Sequence, residues 1–166
     1  MKKLFFLLVI VCSVSCNKPQ PAVRTGLEGK PMPIFSLLLA DSVTYLNTED
    51  ISKGQPIVLF YFDPYCPYSR AQMSEIVENI SMLKDVRFYV FTTASFIDMK
   101  GFYQQYQIRK YSNVSMGVDY NYFFGRYFNI KGVPFTAIYG ADKILRSAFL
   151  GKLNGKQILS VVRNGS

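Results

Sequence analysis

The chain has 166 residues, a length that fits a leader segment plus one domain of roughly 100–150 residues. Apolar residues make up 49% of it, so a core is expected without disulfides. The net charge is +8, but the basic residues are scattered singly, which argues against a nucleic-acid partner. Histidine is absent and there are three cysteines, which excludes imidazole bases and histidine metal sites. We predict no metal and no cofactor.

The first sixteen residues have the organisation of a secretory signal. Two lysines precede the apolar run Leu4–Val11, which is shorter than the roughly 20 residues of a transmembrane helix. The small residues before Cys16 resemble the lipobox of bacterial lipoproteins, although Ser13 stands where leucine is usual. We predict a signal peptide over residues 1–16, with a mature chain that starts at lipidated Cys16. The protein is then exported and held by lipid in the cell envelope, facing the periplasm. Ordinary signal cleavage and an uncleaved anchor are the alternatives.

Residues 17–25 are polar, contain two prolines and show no periodicity, so they are predicted to be a linker. Residues 26–166 are predicted to form the domain. Apolar runs and period-2 patterns predict strands, and period-3.6 patterns predict helices. In chain order, the strands are Leu37–Leu39, Val43–Leu46, Pro56–Phe62, Val86–Thr92, Ser115–Val118, Phe135–Tyr139 and Ile144–Phe149, and the helices are Pro67–Leu83, Phe96–Gln107, Tyr120–Phe128 and Asn154–Arg163. This order implies an α/β domain with a central mixed sheet and helices on both faces.

Cys66 lies at the junction between a buried strand and the helix that follows it. The surrounding residues are Asp63-Pro-Tyr-Cys66-Pro67-Tyr68-Ser69. Cys66 is expected at the N-cap, with Pro67 at the first helical position, where a missing N–H has no cost. The free N–H groups and partial positive charge of a helix N-terminus favour thiolate over thiol. Ser69 falls one turn along, where its hydroxyl can donate a hydrogen bond to that thiolate. A buried, inert cysteine is the alternative.

Three segments of the domain resemble the thioredoxin superfamily, especially exported lipoproteins of the alkyl-hydroperoxide-reductase/thiol-specific-antioxidant class. They are Gly29-Lys-Pro-Met-Pro-Ile-Phe-Ser-Leu37, the strand–cysteine–helix junction at Cys66, and Gly132-Val133-Pro134-Phe135. The resemblance implies a three-layer thioredoxin-like fold with an N-terminal β-hairpin extension. It also implies that Pro134 is cis and lies beside Cys66, and that backbone groups near it, such as those of Val133, pair with a substrate peptide. Tyr65, Pro67 and Tyr68 are predicted to complete the contact surface.

The departures from that superfamily concern the resolving thiol and the acids that serve it. The usual Cys-x-x-Cys reads Cys66-Pro-Tyr-Ser69 here, so any mixed disulfide must be resolved from outside. Thioredoxins bury an acid six residues before the first cysteine, and exported relatives often carry a glutamate six residues after it. This chain has Phe60 and Gln72 at these positions. The motif also resembles a glutaredoxin site without its second thiol, whereas Leu59 and Asp63 do not fit a peroxiredoxin.

The sequence therefore predicts single-thiol exchange of the isomerase or reductase type. Its partners would be protein disulfides or thiols, together with a low-molecular-weight thiol or another external resolving thiol. A redox-inactive module that binds peptides or proteins is the alternative, and an adaptor in an envelope complex is a third. The aromatic cluster of Tyr120–Phe128 could line a groove, but core packing is the favoured interpretation.

Overall fold

The computed structural model describes residues 19–164. The strands are β1 (Ala22–Val23), β2 (Ser36–Leu39), β3 (Tyr45–Asn47), β4 (Ile57–Tyr61), β5 (Arg87–Thr92), β6 (Val114–Val118), β7 (Phe135–Tyr139) and β8 (Leu145–Leu150). The helices are α1 (Pro67–Glu78), α2 (Phe96–Gln105), α3 (Phe123–Tyr127) and α4 (Gly155–Asn164), with 3-10 turns at Thr48–Asp50 and Ile108–Lys110.

All eight strands form one mixed sheet in the order β1-β8-β7-β4-β5-β6-β2-β3. β4, β5 and β6 are parallel to one another. On the other side of β4, β7 pairs antiparallel with β4, and β8 pairs antiparallel with β7. The hairpin of β2 and β3 extends the other side through β6. The central strands are buried on both faces, as their continuous apolar sequences predicted. The predicted α/β arrangement with a hairpin extension is confirmed.

The sheet separates two apolar clusters. Met73 of α1, Phe102 of α2 and Ile158 of α4 pack on one face, together with alternate β4 residues such as Phe60. Phe124 of α3 packs on the other face, with the remaining β4 residues and the segment that leads into β2. Helices therefore cover both faces, and the parallel strands β4, β5 and β6 place the loops after them at one end of the sheet.

The predicted linker over residues 17–25 is wrong from Gln20 onward. Ala22–Val23 is an edge strand paired with β8, and the Gln20 backbone N–H donates to the Gln157 side chain at 3.0 Å. A two-residue strand leaves no periodic pattern, so composition alone suggested an unstructured tether. Within residues 19–164 no helix has the length and hydropathy required to cross a membrane.

Three predicted helices are longer than the helices in the structure, and for α2 the excess is only the two residues after Gln105. α1 ends at Glu78 and not near Leu83, because the Asn79 side chain donates to the Glu75 carbonyl at 2.9 Å and tight turns follow. Leu83 is still fully buried, which explains why the apolar spacing continued past the helix end. In the predicted helix Tyr120–Phe128, residues 120–122 form a turn, and Tyr122 has a φ of 51°.

Candidate functional site

Cys66 caps the N-terminus of α1 just after β4. Its backbone is extended, with φ −73° and ψ 121°, and Pro67 occupies the first turn of the helix. The Cys66 carbonyl accepts the Arg70 N–H at 3.1 Å, which is the first bond of the helix. The side chain is half-buried, and the thiol is free. The N-cap position predicted from the sequence is therefore confirmed.

The Val133–Pro134 loop lies against the thiol. The Val133–Pro134 peptide bond is cis, as predicted. The Cys66 Sγ donates to the Val133 carbonyl oxygen at 3.7 Å. On the far side of the loop, the Gly151 N–H donates to the Pro134 carbonyl at 2.8 Å. The loop is thus held between β8 and the thiol, and the structure brings Cys66, Val133 and Pro134 together.

The hydrogen bond predicted between Ser69 and Cys66 is absent. Ser69 is fully buried, and its Oγ accepts the Asp63 N–H at 3.3 Å. The hydroxyl therefore closes the loop between β4 and α1, while the thiol uses the Val133 carbonyl as its partner. Ser69 still occupies the third helical position, one turn from Cys66, but its role in the structure is to hold the loop that carries the thiol.

Two tyrosines and a proline form the exposed surface around the thiol. Tyr65 and Tyr68 are 68% and 69% exposed, and Pro67 between them is exposed as well. The Tyr65 hydroxyl donates to the Asp98 carboxylate at 2.5 Å, which ties the cysteine loop to the first turn of α2. This bond and the negative charge of Asp98 raise the pKa of Tyr65. Bonds from the Ser95 and Tyr65 hydroxyls lower the pKa of Asp98.

The loop has further anchors that the sequence patterns did not reveal. The Arg70 Nε donates to the Pro64 carbonyl at 2.8 Å, and the Tyr106 hydroxyl donates to the Arg70 carbonyl at 3.0 Å. Asp98 lies in α2 and Tyr106 is the C-cap residue of that helix, some thirty positions along the chain from the residues that they hold. No local motif signals such contacts, since they depend on how α2 packs beside α1.

The two interior positions at which the thioredoxin resemblance implied acids are apolar or neutral here. Phe60 is fully buried in the core. Gln72 is fully buried too, and its Oε1 accepts the Leu153 N–H at 2.6 Å, while its Nε2 finds no hydrogen-bond partner within residues 19–164. Thr136, which pairs with Phe60 across β4 and β7, has a buried hydroxyl that also lacks a partner among the described residues. Neither Phe60 nor Gln72 offers a carboxylate to remove a proton from a thiol.

Across residues 19–164, no three acidic or cysteine side chains converge into a set that could hold a metal ion. Phe124 and Phe128 of the aromatic cluster are core residues, as favoured from the sequence, whereas Tyr120 and Tyr122 are 50% and 57% exposed.

Comparison with solved structures identifies the architecture. A secreted disulfide oxidoreductase from Mycobacterium tuberculosis, homologous to E. coli DsbE, superposes with a TM-score of 0.61 at 19% identity, over 76% of this chain and 91% of that chain. The thioredoxin domain of a thiol-disulfide oxidoreductase from Bacteroides vulgatus gives a TM-score of 0.64 at 15% identity, over 82% and 96%. This chain has a thioredoxin-like fold.

A third solved structure of the same fold, M. tuberculosis DsbF in mixed oxidised and reduced forms, gives a TM-score of 0.65 at 16% identity, over 84% of this chain and 99% of that one. No known family profile matches the sequence. No curated protein matches it either. The thioredoxin-like architecture inferred from three short segments is thus confirmed by structural similarity, at sequence identities that show the fold alone.

Proposed function

We propose that this thioredoxin-like protein carries out thiol–disulfide exchange in the cell envelope through Cys66 alone. The observation that supports this proposal most directly is the half-buried Cys66 thiol, placed at the α1 N-terminus and 3.7 Å from the Val133 carbonyl of the cis-proline loop. The exposed Tyr65 and Tyr68 provide a surface for a polypeptide. Two of the similar structures are disulfide oxidoreductases, and the third, DsbF, was solved in mixed oxidised and reduced forms.

The exchange proceeds in two balanced steps. The Cys66 thiolate attacks one sulfur of a substrate disulfide, forms a mixed disulfide and releases the other substrate sulfur as a thiolate. A second thiolate then attacks the mixed disulfide and restores Cys66. If this thiolate belongs to the substrate, the result is isomerisation. If it is an external protein thiol or low-molecular-weight thiol, the released substrate carries a mixed disulfide with that thiol. A second external thiolate then displaces the substrate sulfur, so that the substrate is left with two thiols and the two external thiols are oxidised to one disulfide. Because Ser69 replaces a resolving cysteine, net oxidation of substrates is not expected.

Loss of the thiol tests this proposal. Wild-type protein with a low-molecular-weight thiol is expected to speed recovery of a scrambled, disulfide-bonded enzyme. Cys66→Ser is expected to abolish this acceleration, because no other residue of 19–164 is a cysteine that could form the mixed disulfide. The recovery rate is measured against the thiol alone, with circular dichroism to verify that the variant is folded. Equal rates for wild type and Cys66→Ser would contradict the proposal.

A second candidate is a binding module that kept the fold and lost the chemistry. The observation in its favour is that Phe60 and Gln72, at the positions where the thioredoxin resemblance implies acids, are fully buried and carry no carboxylate. Such a module would retain its partners without Cys66. Partners that bind wild type and Cys66→Ser with equal affinity, and never form a mixed disulfide, would support this second function over exchange.

Anchoring is part of the same proposal, although Cys16 lies outside the described residues. The signal-like run Leu4–Val11 and the small residues before Cys16 support it. Mass spectrometry of the mature protein is expected to show an N-terminal Cys16 with covalent acyl chains, and Cys16→Ala is expected to release the protein from membranes. A mature chain that begins elsewhere, or a membrane-bound Cys16→Ala variant, would argue against the lipid anchor.

A further inference from the structure

A cleft of about 300 Å³ lies between β1 and the loop that leads to the cis-proline. We call it the β1 cleft. Its lining includes Val23, Ile130, Phe135 and Leu150 as apolar residues, and Arg24 and Lys131 as cations. It contains none of the residues already placed around the Cys66 thiol, so it is a separate feature of the same end of the sheet.

The β1 cleft exposes apolar surface that residues 19–164 leave uncovered. Leu150 is 36% exposed at the end of β8, and Val23 and Ile130 are half-buried. Phe135 is almost fully buried at the base of the cleft. Concave sites of about 300–1,000 Å³ with mostly apolar lining and a few polar groups are typical of small-molecule binding sites.

The charge of the β1 cleft is uncompensated. Arg24 is exposed and makes no side-chain hydrogen bond or ion pair within residues 19–164, and the Lys131 ammonium has only the Asn129 amide oxygen, at 2.7 Å. Among the described residues, none of those that line the cleft is acidic. The nearest acid along the chain, Glu28, already accepts the Thr25 N–H, the Thr25 hydroxyl and the Gly26 N–H.

We infer that the β1 cleft binds a small apolar carboxylate. The acyl or aryl part covers the Leu150 and Phe135 side of the cleft, and the carboxylate pairs with Arg24 and Lys131. Apolar burial provides most of the affinity, while the guanidinium and ammonium groups supply charge-assisted hydrogen bonds that discriminate against neutral compounds. The inference does not depend on exchange at Cys66.

Titration calorimetry of the purified protein with octanoate tests this inference. Octanamide serves as the neutral probe of equal length. Octanoate is expected to bind more tightly than octanamide. The double variant Arg24→Glu/Lys131→Glu is expected to weaken octanoate binding by at least about tenfold, since two charge-assisted bonds are replaced by repulsion. Cys66→Ser is expected to bind octanoate like wild type. A failure of the proposed thiol–disulfide exchange would therefore leave the octanoate result unchanged.

The matched control is Arg109→Glu/Lys110→Glu, which makes the same change in net charge at exposed cations of another turn. It is expected to leave octanoate affinity nearly unchanged. Leu150→Thr keeps a residue suited to a strand, and it is expected to weaken the binding of octanoate and of octanamide to the same extent. Failure of octanoate to bind at millimolar concentration, equal affinity for the two probes, or equal losses in the two double variants would overturn the inference.

Discussion

Ser69→Cys is expected to give the protein an internal disulfide that wild type cannot form. Position 69 is the third residue of α1 and lies one turn from the N-cap Cys66, which is the spacing of Cys-x-x-Cys pairs at helix N-termini. The substitution weakens the bond from the Asp63 N–H, because sulfur is a poor acceptor. With dithiothreitol, reduction of insulin disulfides is expected to be at least about tenfold faster than in wild type, since resolution becomes intramolecular.

Thiol titration before and after mild oxidation measures the linkage. Ser81→Cys is the control, because it adds a thiol at an exposed turn beyond α1 and is expected to stay unlinked to Cys66. If Ser69→Cys retains two free thiols after oxidation, positions 66 and 69 are not arranged for exchange. If it forms the disulfide but gains no insulin reduction, the binding-module alternative gains support.

Adding Gln72→Glu to this variant is expected to increase the rate again near neutral pH. Residue 72 is fully buried, and burial raises the pKa of a carboxyl, so that it can act as a general base at that pH. The same raised pKa lowers the stability of the folded protein as the pH rises. A carboxyl whose folded-state pKa is raised contributes most below its unfolded pKa, so the variant loses stability relative to Ser69→Cys as pH rises from about 4 to about 8. Urea unfolding at both pH values measures this loss.

Phe124→Ala is expected to destabilise the domain by about 3–5 kcal/mol. Phe124 is fully buried, and its ring lies within 4.7–6.1 Å, centroid to centroid, of the rings of Phe35, Tyr61, Phe91, Phe128 and Phe135. Truncation leaves a cavity among aromatic side chains that cannot collapse freely. The free energy of unfolding is measured by urea denaturation.

Tyr120→Ala is the matched control for that measurement. Tyr120 belongs to the same aromatic stretch of the sequence but is 50% exposed, and its loss is expected to change stability by no more than about 0.5 kcal/mol. A cost below about 1 kcal/mol for Phe124→Ala would contradict the core position of this ring.

The sheet and the thiol loop were predictable because their signals are local. The run Ile57–Tyr61 is apolar at every position, as in a strand buried on both faces, and the residues Cys66-Pro67 mark a helix start. The orientation of the Ser69 side chain and the bond between Tyr65 and Asp98 were not predictable. They depend on tertiary packing, since the partner of each side chain is decided by how α1, α2 and the cysteine loop fit together.

The N-terminal contact at Gln20 has a consequence for how the protein would sit on a membrane. Four peptide units join Cys16 to Gln20, a span of at most about 14 Å. The Gln20 side chain donates to the carbonyl of Leu150, whose neighbour Gly151 donates to Pro134. If Cys16 carries lipid, the chain therefore enters the fold at the end of the sheet that holds Cys66. The thiol would then work within a short distance of the bilayer surface, and its partners would need disulfides that lie close to the lipid headgroups.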